Sequence, residues 1–246
     1  MTAPVFVVEH FRTGDGGRYV LDGPEGRHAV SVKRLRAGEE VVLTDGAGRW
    51  ADCVVLDTEG KDRLIVRLDS VAEQPEEEPR ITVVQALPKG DRGELAVETM
   101  TETGVDTVVP WAASRCITQW KGERGVKALA KWRATAREAG KQSRRVRFPE
   151  VADAMTSRQV AALLAKADLA AVLHESGDEP LATAELPARG EIVLVIGPEG
   201  GVSPEELALF TEAGARAYRL GRSVLRTSTA GTAAAALLLG RTGRWS

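Results

Sequence analysis

The stretch from Ile192 to Glu206 constrains the fold of this chain more than any other. Ile192-Val193-Leu194-Val195-Ile196 is an unbroken apolar run, and Gly197-Pro198-Glu199-Gly200-Gly201 follows it directly. A short apolar run closed by glycines reads as a strand buried on both faces. Ser203 then suits a helix N-cap, Pro204 the first helical position, and Glu206 completes a capping box. Strand, tight turn and capped helix in succession demand a mainly parallel sheet covered by helices.

The same alternation runs through the C-terminal two thirds of the sequence. Strands are expected at residues 81–87, 106–110, 169–173, 191–196 and 216–220. Helices are expected at 93–103, 126–142, 156–166, 204–213 and from about Thr229 onward. Residues 1–72 differ, with short alternating runs at 5–8, 40–43, 52–56 and 64–68. Asp45-Gly46, Gly48 and Glu59-Gly60 supply hairpin turns, and one short helix is expected at 28–35. Between the two regions, Glu73-Gln74-Pro75-Glu76-Glu77-Glu78-Pro79 has no apolar anchor and reads as a solvated linker. The expected organisation is α/β: a barrel-like β module at 1–72, an acidic Pro/Glu linker at 73–80 and an α/β domain at 81–246.

Composition narrows the function. The chain has 246 residues, 33 basic and 35 acidic side chains, and a formal charge of −2, with 43% hydrophobic residues to fill a core. Cys53 and Cys116 cannot frame a disulfide scaffold, and His10, His28 and His174 lack metal-ligand spacing, so no metal site is expected. The start, MTAPVFVVEHFR, has no basic flank before an apolar run, and the apolar stretch 233–239 falls far short of the roughly 20 residues of a membrane span. A reducing, cytoplasmic setting is the expectation.

Three features could carry chemistry. The glycine turn at 197–201 lies at the carboxyl end of a strand, where ligands bind in open α/β sheets. It follows neither GxGxxG nor GxxxxGK[ST], which removes the usual support for hydride transfer and nucleotide hydrolysis. A second strand exits at Leu220-Gly221, through Arg222-Ser223-Val224-Leu225-Arg226, into a helix of small residues. There Val224 and Leu225 could wall an apolar slot while Arg226 reaches an anion; a buried core helix is the plain alternative. The third feature is charge. Between Arg115 and Arg147 stand eleven basic residues against only Glu123 and Glu138, with Trp120 and Trp132 interleaved, the footprint expected for a polyanion. His174-Glu175 also follows a strand end. Cys116 has no histidine near it in sequence and reads as a buried thiol.

Taken together, these residues resemble the 16S ribosomal RNA uracil-N3 methyltransferases of the SPOUT class. The resemblance rests on Gly197-Pro198-Glu199-Gly200-Gly201, Leu220-Gly221, Val224-Leu225-Arg226 and Thr229-Ala230, on Ala86-Leu87-Pro88-Lys89-Gly90-Asp91-Arg92, and on Glu138 with Gln142-Ser143-Arg144. Leu173-His174-Glu175, His28 and Lys33-Arg34-Leu35-Arg36-Ala37-Gly38-Glu39 extend it over nearly the whole chain. It implies a PUA-like β-barrel followed by a domain with a deep trefoil knot, a homodimer, S-adenosylmethionine as methyl donor, and 16S rRNA, as part of the small ribosomal subunit, as substrate. The donor would be held by Leu173, His174, Glu175, Gly197, Pro198, Glu199, Gly200, Gly201, Leu220, Gly221, Ser223, Val224, Leu225 and Thr229. Arg226, Glu199 and Arg144 are the catalytic candidates, with Glu199 either a proton acceptor or part of the turn. Arg12, Lys33, Arg34, Arg36, Lys89, Arg137, Gln142, Arg144 and Arg145 are the RNA-binding candidates. Two positions depart from the family pattern, with Ser223 where arginine is usual and Ser228 where glutamate is usual. A non-catalytic ribosome-binding factor and a SPOUT enzyme acting on another nucleotide are the competing readings.

Overall fold

The computed structural model describes residues 3–11 and 17–245. Arg12, one of the RNA-binding candidates, lies outside the described residues. The chain forms two compact units: Met1–Glu76 with Gly140–Phe148, and Glu77–Ala139 with Pro149–Ser246.

The first unit is built on a five-stranded sheet of β1 (Val5–Val7), β2 (Arg18–Leu21), β3 (Glu40–Thr44), β4 (Arg49–Glu59) and β5 (Arg63–Glu73), in the order β1-β3-β4-β5-β2. The β3–β4 turn forms where Asp45-Gly46 predicts it. Asp45 Oδ1 accepts from the N–H groups of Ala47 and Arg49 at 2.7 and 3.1 Å, and Gly46 sits at φ +73°. Hairpin logic does not extend to β1, which runs parallel to β3 with Val5 opposite Val42. Phe6, Leu43, Val55, Leu64 and Val66 fill this unit's core.

The short helix expected at 28–35 is displaced. Helix α1 (Gly23–Arg27) starts earlier, with Pro24 in its first turn, and continues as one π-helical turn, His28–Val32. It ends at Lys33 because Arg34 takes the left-handed conformation, φ +56°.

Within the stretch 81–246 expected as the α/β domain, Gly140–Phe148 is grouped by compactness with the first unit. These residues close that unit through backbone and aromatic contacts far apart in sequence. Thr44 Oγ1 and the Gly48 N–H both donate to the Val146 carbonyl, at 2.9 and 3.0 Å, and the Phe148 N–H donates to Gly46 O at 2.7 Å. The Phe148 ring occupies the space where a Cβ at Gly46 or Gly140 would stand. Lys141 Nζ meets Glu25 Oε1 at 2.9 Å, with both side chains largely buried.

Glu76, Glu77 and Glu78 of the acidic stretch are exposed, and each still meets a basic side chain. In the first unit Glu76 lies 3.6 Å from Arg147, and Gln74 O accepts from the same guanidinium at 2.8 Å. In the second, Glu77 and Pro79 O bind Arg244 at 3.0 and 3.2 Å, and Glu78 lies 3.8 Å from Arg189. Charge supplies the anchors that apolar side chains do not.

The second unit carries β6 (Arg80–Ala86), α2 (Arg92–Thr103), β7 (Thr107–Trp111), α3 (Gly122–Gln142, its last residues counted with the first unit), β8 (Glu150–Val151) and α4 (Ser157–Leu164). They are followed by β9 (Leu169–Leu173), β10 (Glu179–Pro180), β11 (Glu191–Ile196), α5 (Pro204–Glu212), β12 (Arg216–Arg219) and α6 (Thr227–Arg241). The sheet order is β10-β12-β9-β11-β6-β7-β8, and each of these pairings is parallel.

Alternate residues of each strand face opposite sides, so the apolar runs feed two cores. Ile81, Val83, Ile192, Leu194 and Ile196 pack with α2, α3 and α6, through Met100, Trp132 and Leu238. Val84, Val193, Val195 and Val172 pack with α4 and α5, through Val160, Leu164 and Phe210. The small residues of α6 are explained here, since a Cβ on Gly231 would fall 2.7 Å from Met100 Sδ. Helix α6 begins at Thr227, two residues before the position expected from sequence.

Candidate active site

Three neighbouring strands end level with one another. Leu173 is opposite Ile196 on one side and Tyr218 on the other, so the turns after β9, β11 and β12 leave the same edge of the sheet. The expected ligand-holding residues therefore gather at one carboxyl edge, as the parallel order of the strands requires.

The β11 turn is firmly tied. Ser203 Oγ accepts from the Glu206 N–H at 3.2 Å and Glu206 Oε2 accepts from the Ser203 N–H at 3.3 Å, forming the capping box legible in sequence. The buried Glu206 carboxylate also accepts from Ser114 N at 2.7 Å, Ser114 Oγ at 3.0 Å and Ser157 Oγ at 2.7 Å. The exposed Glu205 carboxyl is held below the usual range by its own backbone N–H and the Ser203 hydroxyl. Gly201 adopts φ +73°, a conformation side chains other than glycine's rarely take, and its N–H bonds the Pro198 carbonyl at 2.8 Å.

Glu199, proposed from sequence as proton acceptor or turn residue, accepts from the Lys89 N–H at 3.2 Å and lies 3.8 Å from Arg92. It thereby ties the β6–α2 loop to the β11 turn. Lys89 joins the site through its backbone.

Glycine has a different use in each turn. At Gly197 a Cβ would lie 3.0 Å from Val202 Cγ2, and at Gly200 it would lie 3.3 Å from Arg115 Cβ, so these two make room for the chain itself. At Gly221 a Cβ would meet nothing within 4 Å. Of these three, Gly221 alone is exposed with open space beside it. Residues 221–226 are all exposed; Val224 is 80% and Leu225 41% accessible, so in the single chain they do not form the walls of a packed slot. Ser223 is exposed and Ser228 is buried. Arg226 forms the N-cap of α6, its carbonyl accepting from Thr229 and Ala230 at 2.9 and 3.0 Å, and its side chain is exposed.

In the β9 turn, Leu173 and His174 are half-buried and Glu175 is exposed. The His174 N–H donates to Tyr218 O at 3.0 Å. Its ring Nδ1 accepts from the Ser176 N–H at 3.2 Å, which places the proton of the neutral ring on Nε2. Burial pushes the Cys53 thiol up to about 12 and also raises that of the half-buried Cys116.

Two residues of this edge have no role assigned from the sequence. Gln85, fully buried on β6 opposite Ile196, donates from Nε2 to Thr227 Oγ1 at 3.2 Å, and Thr227 Oγ1 donates to Gly197 O at 2.6 Å. They link the β11 turn to the start of α6. A glutamine inside an apolar run was the available signal.

The basic stretch is less free than its count suggests. Arg115 donates to Gly200 O at 3.0 Å, Lys131 pairs with Glu94 at 2.9 Å, and Arg133 pairs with Asp153 at 3.0 Å. Lys141 and Arg147 are tied within the first unit as described, and Arg145 Nε donates to Arg147 O at 2.8 Å. Trp120 and Trp132 pack edge to face, centroids 5.0 Å apart, with Trp132 in the core and not on a stacking surface. Lys121, Arg124, Lys127, Arg137 and Gln142 remain exposed in this stretch.

Lys33, Arg34, Arg36 and Arg144 are exposed on the first unit. Arg144 closes α3 with a Schellman motif: at φ +60° its N–H bonds Lys141 O at 3.2 Å, and the Arg145 N–H bonds Gly140 O at 2.9 Å. Of the catalytic candidates, Arg144 belongs to the first unit and Glu199 and Arg226 to the second.

Comparison with known proteins decides the family. Residues 75–239 match the RNA methyltransferase domain family, and residues 21–69 match the RNA methyltransferase PUA domain. The chain belongs to the RNA methyltransferase family. Among relatives of this methyltransferase, the ribosomal RNA small subunit methyltransferase E of Mycobacterium bovis is 44% identical, covering 100% of this chain and 94% of that protein. The Bacillus subtilis protein of the same name is 27% identical, with 86% of each covered. A ribosomal RNA small subunit methyltransferase E from Neisseria gonorrhoeae, solved bound to S-adenosylmethionine, superposes at TM-score 0.83 with 28% identity and 98% of each chain covered. A methyltransferase from Legionella pneumophila, solved with the same cofactor, gives 0.84 with 28% identity and the same coverage.

Proposed function

We propose that this methyltransferase modifies N3 of one uridine in the 16S rRNA of the small ribosomal subunit, with S-adenosylmethionine as donor. The observation that carries this reading is the level carboxyl edge of β9, β11 and β12, with Gly221 open at its third turn. Full-length likeness to ribosomal RNA small subunit methyltransferase E proteins supports it. The edge residues fit such a donor: the β12 turn is unobstructed at Gly221, backbone polar groups surround it, and Leu173, Leu220 and Leu225 offer aliphatic surface. Bound there, the cofactor supplies an electrophilic methyl group.

The chain's own contribution is position and charge. The turns at 173–175, 197–201 and 220–226 hold the donor. Uracil N3 gives up its proton to solvent water as the N3–methyl bond forms, and the exposed Arg226 guanidinium stabilises the developing anion on the pyrimidine carbonyl oxygens. Glu199, tied to Lys89 N–H and Arg92, keeps the turn in shape and is a less available base. Lys33, Arg34, Arg36, Gln142, Arg144 and Arg145 on the first unit, and Lys89 and Arg137 on the second, bind RNA. We assign to the chain a deep trefoil knot in its second unit, closure of its first sheet into a PUA-like barrel, a homodimeric state, a cytoplasmic site of action and the assembled subunit as substrate.

The test is incubation of purified protein with labelled S-adenosylmethionine and small subunits lacking the modification, followed by nucleoside analysis. Labelled 3-methyluridine at one 16S site is the expected product. A different methylated nucleoside overturns the target, and no transfer with no cofactor binding overturns the enzyme reading.

A further inference from the structure

Gln85 is a polar residue where packing asks for an apolar one. Its neighbours along β6, Val83, Val84 and Ala86, are fully buried, and so is Gln85 itself. Its amide orientation is fixed by chemistry, because Nε2 lies 3.1 Å from the Ala86 carbonyl, which only accepts. The same nitrogen donates to Thr227 Oγ1 at 3.2 Å. The amide oxygen then points away from both partners, and among the described residues this buried Oε1 has no hydrogen-bond partner. A methionine would fill a similar volume without stranding a buried acceptor.

The carboxamide does accomplish one thing that an apolar side chain could not. By donating to Thr227 Oγ1 it leaves that hydroxyl's single proton committed to Gly197 O, at 2.6 Å. Gly197 opens the β11 turn and Thr227 opens α6, immediately after the β12 turn. The relay therefore joins two of the three turns at the candidate site, and both of its hydrogen bonds span distant parts of the sequence.

We propose that Gln85 is a positioning residue of the donor site, acting through Thr227 to set the Gly197 turn and the start of α6 at a fixed distance. The proposal rests on the reading of that edge as the S-adenosylmethionine site. Gln85 does not touch the reacting atoms.

The test is calorimetric titration of S-adenosylmethionine into wild type, Q85M, T227V, T227S and the Q85M/T227V double variant, each with its thermal midpoint. Q85M should keep or raise the midpoint while weakening donor affinity about tenfold, the worth of one good hydrogen bond. T227V should behave alike, T227S should bind as wild type does, and the double variant should bind no more weakly than either single change. The KM for the donor should rise while that for RNA holds. Wild-type affinity in Q85M, or additive losses in the double variant, overturns the proposal and leaves the cofactor reading intact. If Q85M fails to melt cooperatively, the T227V and T227S pair decides: wild-type affinity in T227V overturns the proposal. A wild-type protein that does not bind the donor overturns the site reading and this proposal together.

Discussion

Arg115 holds Gly200 from the outside of the β11 turn: its Nη1 donates to the Gly200 carbonyl at 3.0 Å, and its Cβ stands 3.3 Å from where a Cβ at 200 would be. The glycine that most resembles a ligand-binding element is thus packed against its own chain. At the exposed Gly221, by contrast, nothing lies within 4 Å of a Cβ. Gly221→Val is expected to leave the thermal midpoint near wild type and to abolish S-adenosylmethionine binding by calorimetry. Gly200→Ala should instead press on Arg115 and weaken binding only a few-fold. Equal donor affinity in Gly221→Val and wild type would place the donor elsewhere.

Arg144 occupies a helix-ending position where glycine is the unstrained choice, at φ +60°. Arg144→Gly should therefore stabilise the protein by about 1 kcal/mol, relieving the left-handed strain. The same change should weaken RNA binding and lower the slope of log K against log salt by about 1. Filter binding at several salt concentrations, beside urea denaturation, separates the two effects. An unchanged slope would remove Arg144 from the RNA contacts.

Much of this architecture was legible. The apolar runs at 169–173 and 191–196 are strands with the expected bounds, and Ser203, Pro204 and Glu206 form the cap their order predicts. These features are local, and the chain's own periodicity and capping chemistry encode them. What escaped depends on distant partners. The relay from Gln85 to Thr227 spans 142 positions, and the Thr44 bond to Val146 spans 102. The parallel seat of β1 and the folding of Gly140–Phe148 into the first unit are tertiary outcomes with no local signature. Charge misled in a different way, since Lys131, Arg133 and Lys141 look free in sequence yet have acidic partners.

Glu206 is a buried carboxylate whose oxygens accept from Ser114, Ser157 and Ser203. Glu206→Gln replaces one accepting oxygen with a donor that faces other donors. A loss of about 1.5–3 kcal/mol is expected, the range for hydrogen bonds to charged groups. Urea denaturation gives the value, and a loss below a few tenths would show that the network rearranges freely.

Cys53 supplies a pH signature. Burial raises its thiol from 9.0 to about 12, so above pH 9 the unfolded chain releases a proton that the folded chain keeps. The unfolded state then binds fewer protons, and stability falls as pH rises from about 9 toward 12. Cys53→Ala should flatten that fall, measured by denaturation at pH 8 and pH 10. Parallel slopes in both proteins would assign the fall to other groups.

The first unit is finished by residues the ribosome makes late. Its sheet strands end at Glu73, but Phe148, Val146 and the Lys141 partner of Glu25 arrive only after the strand, helix and strand of residues 80–111 and most of α3 have been made. At about 5–20 residues per second, the wait lasts several seconds. During it, Glu25 has no Lys141 and Gly46 is not yet covered by the Phe148 ring. An expressed fragment that stops at the acidic stretch freezes the chain in that unfinished state. The first unit thus has to be produced and studied with residues 140–148 attached.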